Sequence, residues 1–320
     1  MSEEYRKIIK FGSSSHVISL PNDWFKRNKL SKGDKLIIKE NSSNELILSS
    51  ALTKEKVIKD LTIDISNKSI DYFKNSLIGA YINNYTIIKI HDNQLNKRST
   101  EIRNFINSFA GLEVIEQHEN SIVVKDFINE QDVYLEATVR RIDNVLRHML
   151  KRAEDCVHKD LINSINNSDT DVNRLSFLVQ KLIRTYMDNP SLIKDISFNS
   201  YELLHYYRIV INLEYFGDEV KRVSRLFRKG NLKKGKFKDL LEYYKKICEM
   251  YTESMTAFHE RNNEKALFLL EESKKLTIEI NDVLEKDTEP VDVRIVEKLK
   301  NMLNSIKRTT RISINLGLAR

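Results

Sequence analysis

The sequence predicts a multidomain α+β protein with strands at its N-terminus, a small α/β domain after them, and an all-helical C-terminal region. Short apolar runs separated by turn residues come first, and strand and helix periodicity then alternate. Beyond them, apolar residues recur every three or four positions to the end of the chain. Only 8 Gly and 3 Pro occur among 320 residues, which favours long helices with few irregular loops. We therefore predict three domains, at residues 1–52, 53–129 and 130–320.

The composition is typical of a soluble protein that is not secreted. The net charge of +7 permits an anionic partner, and a hydrophobic content of 41% is sufficient for real cores. The first residues lack the apolar core of a signal peptide, and no apolar run approaches the roughly 20 residues that span a bilayer. Cys156 and Cys248 lie far apart without metal-ligand spacing. We therefore expect a cytoplasmic protein with inert thiols and no membrane insertion.

Residues 5–50 are expected to form short strands around one small helix. Gly12 begins a turn between the first two strands, Pro21 ends the second because it cannot donate to a strand ladder, and Asn22 can cap the helix. The predicted elements are strands at 6–11 and 16–20, a helix at 22–29, and a hairpin of 35–40 with 45–49. A segment of about forty-five residues forms only a marginal core, so we expect a second copy of the chain to complete it.

This block resembles the AbrB/SpoVT family of swapped-hairpin DNA-binding domains. The resemblance is carried by Arg6-Lys7-Ile8, Gly12, Val17-Ile18-Ser19-Leu20-Pro21, Trp24 and Leu30-x-x-Gly33-Asp34. It implies a homodimer in which two chains interlace, with basic side chains facing DNA. By position, those side chains are Arg6, Lys10, His16, Lys26 and Arg27. Contacts of this kind to phosphates give position rather than sequence choice. The alternative is that these cations form a solvated face on a unit used only for dimerisation.

Residues 53–129 are expected to form a small domain with the order β-α-β-α-β-β. Its predicted strands lie at 57–65 and 85–91, its second helix ends at Gly111, and a hairpin joins 113–117 to 121–127. This segment has no Gly-rich phosphate loop after a strand and no nucleophile elbow, so we assign it no chemistry.

From residue 131 onward the pattern predicts six helices. Asn167-Ser168-Asp169 is expected to break the first helix from the second, and Asn189-Pro190 to end the second. The predicted helices are 132–163, 169–187, 202–227, 236–261, 263–285 and 291–318. Three helices followed by three, with short connections, suggest two antiparallel three-helix bundles.

The third of these helices carries a pair of carboxylates around a glycine. Glu214 and Asp218 are four residues apart and share a face, where they repel by about 0.2–0.5 kcal/mol. Gly217 between them costs the helix roughly 1 kcal/mol against alanine. We therefore expect close packing at Gly217 and a cation beside the two carboxylates.

The segment Leu213-Glu214-Tyr215-Phe216-Gly217-Asp218-Glu219-Val220 resembles a helix of the PhoU family of phosphate-uptake regulators. The resemblance implies three-helix bundles and a divalent metal ion, with Glu214, Asp218 and Asp169 as candidate ligands. Oxygen ligands of this kind suit Mg, Ca or Mn, with Fe possible. The alternative is a set of ion pairs, of Asp218 with Arg222 and of Glu214 with a lysine from a neighbouring helix. At the matching position of the last helix stand Lys307 and Arg311, which cannot bind a cation.

The order of the pieces resembles archaeal proteins that fuse an AbrB-like domain to a PhoU domain. It implies a non-catalytic regulator of phosphate uptake, with a DNA-binding N-terminal domain and a helical domain that senses state or binds partners. The alternative is an adaptor that binds a phosphate transporter ATPase or a sensor kinase, with the AbrB-like unit used only for dimerisation. A metal-dependent hydrolase fits poorly, because the sequence shows no nucleophile–base pair. A basic run from Lys221 to Lys238 could meet an anionic partner or form a solvated face.

Overall fold

The computed structural model describes residues 4–40, 44–50, 58–188, 198–229, 235–283 and 290–318. The chain divides into two compact units, Met1–Val57 and Ile58–Arg320. Three predicted features lie outside the described residues. They are the domain boundary at 52/53, the helix end at Asn189-Pro190, and the part of the basic run at Lys233 and Lys234.

The N-terminal unit consists of two hairpins and one short helix. Its elements are β1 (Ile9–Phe11), β2 (Ser15–Val17), α1 (Asn22–Arg27), β3 (Leu36–Glu40) and β4 (Leu46–Ser50). β1 pairs antiparallel with β2, and β3 pairs antiparallel with β4, in two separate two-stranded sheets. Gly12 and Gly33 adopt φ values of 71° and 99°, which glycine reaches without a steric cost, and the turn at Gly12 forms where the sequence predicts it.

A mixed four-stranded sheet opens the second unit. Its elements are β5 (Asp60–Asp64), α2 (Ile70–Ile82), β6 (Ile87–His91), α3 (Leu95–Ile106), β7 (Leu112–Gln117) and β8 (Ser121–Asp126). The strand order is β5-β6-β8-β7, with β5 parallel to β6 and the other neighbours antiparallel. The predicted β-α-β-α-β-β order is confirmed.

Six helices follow the sheet in the described part of the chain. They are α4 (Leu135–Asp155), α5 (Ile162–Asp188), α6 (Ser200–Phe227), α7 (Gly235–Glu260), α8 (Asn263–Asp282) and α9 (Pro290–Leu318). α4, α5 and α6 contact one another, as do α7, α8 and α9, and α6 packs along α9. Buried residues of all six helices form one continuous hydrophobic core. The structure therefore has the expected six helices in two contacting groups of three.

The predicted break between the first two helices is wrong in position. α4 ends at Asp155 and α5 begins at Ile162, where the Asp160 carboxylate accepts a hydrogen bond from the Ile162 amide (3.3 Å). Asp169 therefore lies inside α5 rather than at its start. Residues of capping type can continue a helix when neighbours are buried, as Ile165 and Val172 are here.

The α/β part of the second unit contacts α5 mainly through α2. Phe109 stacks on Phe177 of α5, with ring centroids 5.5 Å apart. The Lys181 ammonium of α5 forms a buried ion pair with Asp126 at the end of β8 and lies 4.9 Å from the ring centroid of Tyr81. Among the residues that the structure describes, no helix combines the length and hydropathy needed to cross a bilayer.

Candidate functional site

The candidate carboxylates lie on α6, which is fixed firmly at its start. The Asn199 side chain accepts a hydrogen bond from the Glu202 amide (2.9 Å), and the Glu202 carboxylate accepts one from the Asn199 amide (3.0 Å). This capping box satisfies two donors that a helix start leaves free. Below it, Leu213, Phe216 and other apolar residues are buried. The register of α6 therefore places its carboxylates at the edge of the core.

Gly217 packs closely, as the sequence predicts. A Cβ atom at this position would lie 3.0 Å from Cδ2 of Leu146 on α4 and 3.7 Å from Cγ1 of Val172 on α5. A larger side chain would push these helices apart, so packing offsets the low helix propensity of glycine here.

Lys221 supplies the cation that the sequence predicts near Glu214 and Asp218, and it binds Asp218 together with Asp169. Its Nζ atom lies 2.5 Å from Oδ2 of Asp169 on α5 and 2.7 Å from Oδ1 of Asp218, one turn earlier on α6. Arg222 donates to the other Asp218 oxygen at 3.2 Å. The structure therefore brings Asp169 and Asp218 together, as predicted, but around an ammonium group. We refer to Asp169, Glu214, Asp218, Lys221 and Arg222 as the α6 charge cluster.

The pKa values in the α6 charge cluster move in the directions that these contacts require. Burial lowers the pKa of Lys221, but its hydrogen bonds to Asp169 and Asp218 outweigh that effect and leave the pKa raised. Burial raises the pKa of Glu214, the nearby charges of Asp218 and Asp169 raise it further, and Lys221 partly offsets them. Ionisation of Glu214 is therefore less favourable in this cluster than in a free glutamate side chain.

The residues present fit an internal ion-pair network better than a metal site. One carboxylate oxygen, Oδ1 of Asp169, is buried without a hydrogen-bond partner. The other oxygen of the same carboxylate, Oδ2, already accepts a hydrogen bond from Lys221. Within the described ranges, no group of three His, Cys, Asp or Glu side chains is placed to hold a metal ion. Metal binding by Glu214, Asp218 and Asp169 stays a prediction. The alternative pair Asp218–Arg222 is present, and the lysine that acts on Glu214 comes from α6 itself.

Sequence reasoning missed Glu219, which is fully buried between α6 and α9. Arg222 forms an ion pair with it, Asn301 donates to its Oε2 at 3.1 Å, and Lys298 lies 3.8 Å away. Its position on the buried stripe, three residues after Phe216, was a signal that could have revealed it. Arg222 therefore links Asp218 of the α6 charge cluster to a further carboxylate, which is fully buried.

The matching position on α9 is basic, as the sequence indicates. Lys307 donates to Oγ1 of Thr277 at 2.8 Å. Burial lowers the pKa of Lys307, and the charges of Arg311 and Lys274 lower it further. This face thus lacks the charge that would attract a cation.

The five candidate DNA contacts are all exposed in the N-terminal unit: Arg6, Lys10, His16, Lys26 and Arg27. Lys10 and His16 are directly opposite each other in the β1–β2 ladder, so their side chains share one face. Lys26 and Arg27 form the last turn of α1. Arg6 forms an exposed ion pair with Glu4.

No family model and no curated protein matches this sequence. Among solved structures, the chain is similar to PhoU from Pseudomonas aeruginosa, with 16% identity over 57% of this chain and 92% of that one and a TM-score of 0.44. It is also similar to the phosphate transport system regulatory protein PhoU from Streptococcus pneumoniae, with 14% identity over 58% and 93% of the two chains and a TM-score of 0.41. At these scores the likeness carries no weight for function, which rests on the residues themselves.

Proposed function

We propose that this protein is a non-catalytic regulator of phosphate uptake that forms a homodimer and docks on DNA through its N-terminal unit. The observation that carries the proposal is the combination of uncovered apolar hairpins and exposed cations in that unit. The link to phosphate uptake comes from the resemblance of Leu213–Val220 to the PhoU helix.

The apolar side chains of the N-terminal unit need a partner. Leu30 is the buried apolar residue among the side chains described there, whereas Phe11 on β1 and Leu46 on β4 are 69% and 68% exposed. Further exposed apolar residues of the two hairpins and their flanks are Ile8, Ile9, Val17, Ile18, Ile38 and Ile47. Isolated two-stranded hairpins are marginally stable in water, and exposed apolar patches of this extent mark contact surfaces. A second copy of the same unit supplies a matching apolar surface, which supports a dimer.

The charge of the unit favours a nucleic-acid backbone as its ligand. Residues 6–35 carry Arg6, Lys7, Lys10, Lys26, Arg27, Lys29, Lys32 and Lys35 against Asp23 and Asp34. The carboxylate of Asp34 accepts a hydrogen bond from the Ser31 amide (2.6 Å), so it stabilises the turn between Ser31 and Asp34. Dimerisation doubles the number of cations that one duplex can meet, which strengthens a contact made mainly to phosphates.

Anisotropy of labelled duplex DNA across salt tests the DNA contact. Binding through about six phosphates should weaken by roughly 10³ between about 50 and 200 mM salt. Lys26→Ala/Arg27→Ala should abolish it, whereas Arg141→Ala/Lys151→Ala, which removes two exposed cations of α4, should not. If the wild type binds DNA only weakly and neither double variant changes that affinity, DNA docking is refuted. Sedimentation of the full-length protein tests the dimer, and a monomer at micromolar concentration would refute that part.

The alternative is an adaptor that binds a phosphate transporter ATPase or a sensor kinase. A groove between α7 and α8 favours it, because Phe268 is exposed there beside Met250 and Leu269, with glutamates and lysines around them. Exposed apolar groups with a charged rim are typical of protein contact sites. An adaptor contact of this kind would depend far less on salt than DNA binding does.

A further inference from the structure

A basic groove lies between the end of α6 and the start of α9. The two helices run antiparallel, because Asn212 of α6 donates to the Ser305 carbonyl (2.9 Å), while Glu219 further along α6 meets Asn301 earlier on α9. The last turns of α6 therefore face the first turns of α9. The groove has a volume of about 330 Å³ and is lined by Arg222, Arg225, Leu226, Lys229, Arg294, Glu297 and Lys298.

The lining of this groove carries five cations and one carboxylate. Arg222 and Lys298 are engaged with Glu219, and Lys298 also pairs with Glu297 at 2.9 Å. In the described part of the chain, no acidic side chain lies within ion-pair distance of Lys229 or Arg294. The groove therefore keeps an excess of positive charge after its internal pairs are formed.

The helix dipole accounts for the cations at the end of α6 but not for those at the start of α9. Arg225 and Lys229 lie near the C-terminus of α6, where cations offset the free carbonyl groups. Arg294 and Lys298 lie near the start of α9, where the helix end is itself positive. The cations that the two helix ends bring to this groove repel one another, and a bound anion would remove that repulsion.

We propose that this groove binds a small polyanion that carries two or more linked phosphate groups. The volume is at the low end of the about 300–1,000 Å³ of ligand sites, and a single phosphate group would fill it only in part. Two guanidinium groups are already oriented: Arg222 by Asp218 and Glu219, and Arg225 by Oδ1 of Asn166 at 3.1 Å. Oriented guanidinium forks match phosphate oxygens with paired hydrogen bonds.

Lys229 and Arg294 supply the remaining charge from opposite sides of the groove. No described side chain forms an ion pair with either residue, so their donors are available to the ligand as far as the described residues go. Linked phosphates offer more oxygens to the donors of both helices than a single orthophosphate does. The lining residues of this site all belong to the second unit, and the site does not depend on the N-terminal DNA contacts. Tripolyphosphate and ATP share the linked-phosphate chemistry, and their relative affinities distinguish an inorganic source from a nucleotide.

Titration calorimetry of the full-length protein with tripolyphosphate tests the site. One saturable site per chain is expected in about 0.1 M salt, where exposed charges are already screened. Lys229→Gln/Arg294→Gln should weaken it by about a hundredfold, since each lost charged hydrogen bond costs about tenfold or more. Glu297→Gln should tighten it by removing the one lining carboxylate, a change of sign that a general folding defect would not produce.

Matched controls separate this site from surface charge and from DNA binding. Arg141→Gln/Lys151→Gln removes one exposed arginine and one exposed lysine from α4 and should leave tripolyphosphate binding unchanged. Lys26→Ala/Arg27→Ala should also leave it unchanged, whether or not DNA binding is lost. Absence of saturable binding, equal loss in the α4 control, or equal affinity for orthophosphate would each overturn the proposal. Binding of both tripolyphosphate and ATP supports the proposal, whichever of the two binds more tightly.

Discussion

Replacing Lys221 with methionine removes the cation at the centre of the α6 charge cluster. Methionine keeps most of the side-chain volume, so the substitution tests the charge rather than the packing. Asp169 and Asp218 would then lose contacts of 2.5 and 2.7 Å, and Glu214 would lose the cation that offsets their charge. We expect the variant to fold with reduced stability.

The expected magnitude follows from the burial of the pair. Lys221 and Asp169 side chains are 19% and 9% exposed, whereas Asp218 is 37% exposed. Removing the partner of a buried charge lowers the free energy of unfolding by about 3–5 kcal/mol, whereas an exposed ion pair contributes about 0–1 kcal/mol. A partly buried pair lies between these limits, so we expect a loss of about 2–3 kcal/mol. At about 2–4 °C per kcal/mol for a unit of this size, Tm should fall by roughly 5–10 °C.

Thermal and urea unfolding measure the loss, and a second substitution tests its cause. Lys221→Met/Asp169→Asn should recover most of the stability, because the buried charge is then gone. Lys245→Met, which removes an exposed pair with Glu242 (2.8 Å), should leave Tm nearly unchanged. A Lys221→Met variant as stable as the wild type would refute the role of this lysine.

The same variant separates the ion-pair network from the predicted metal site. If Lys221 takes the place of a metal ion, Mg²⁺ or Mn²⁺ should raise the Tm of Lys221→Met and leave the wild type unchanged. Removing metal from the wild type with a chelator should then leave its Tm unchanged. A stoichiometric divalent ion in purified wild-type protein would show that Asp169, Glu214 and Asp218 bind metal despite the lysine.

Three further predictions concern ionisable groups that are buried or half-buried. Because burial and nearby carboxylates raise the pKa of Glu214, its ionisation disfavours folding above its ordinary pKa of about 4.3, so Glu214→Gln should gain stability over the wild type as pH rises from 4 to 7 in urea unfolding. Lys181→Met leaves the buried carboxylate of Asp126 unpaired and should cost about 3–5 kcal/mol in thermal unfolding, with partial recovery in Lys181→Met/Asp126→Asn. Cys248 is half-buried and desolvation raises its pKa to about 12, so iodoacetamide at neutral pH should modify it much more slowly in the folded protein than after unfolding, as mass spectrometry of the labelled peptide would show.

Local patterns predicted most of the elements because their causes are local. Apolar spacing of three and four residues fixed the six helices of the C-terminal region, and alternation marked the strands of the mixed sheet. Glycine turns at Gly12 and Gly33 were predictable because positive φ is accessible to glycine. The α3 start at Leu95 was not predicted, since its first turns carry mainly polar residues and one buried apolar side chain.

Helix periodicity places Glu214 and Asp218 on one face, and it predicts both the close packing at Gly217 and a nearby cation. Identifying this cation as Lys221 required the packing of the helices, because Asp169 reaches it across the interface between α5 and α6. It also placed Asp169 inside α5, where burial of its apolar neighbours outweighs the local preference of Asn, Ser and Asp for helix ends. The basic groove likewise exists only because α6 and α9 pack antiparallel and bring two distant charged segments together.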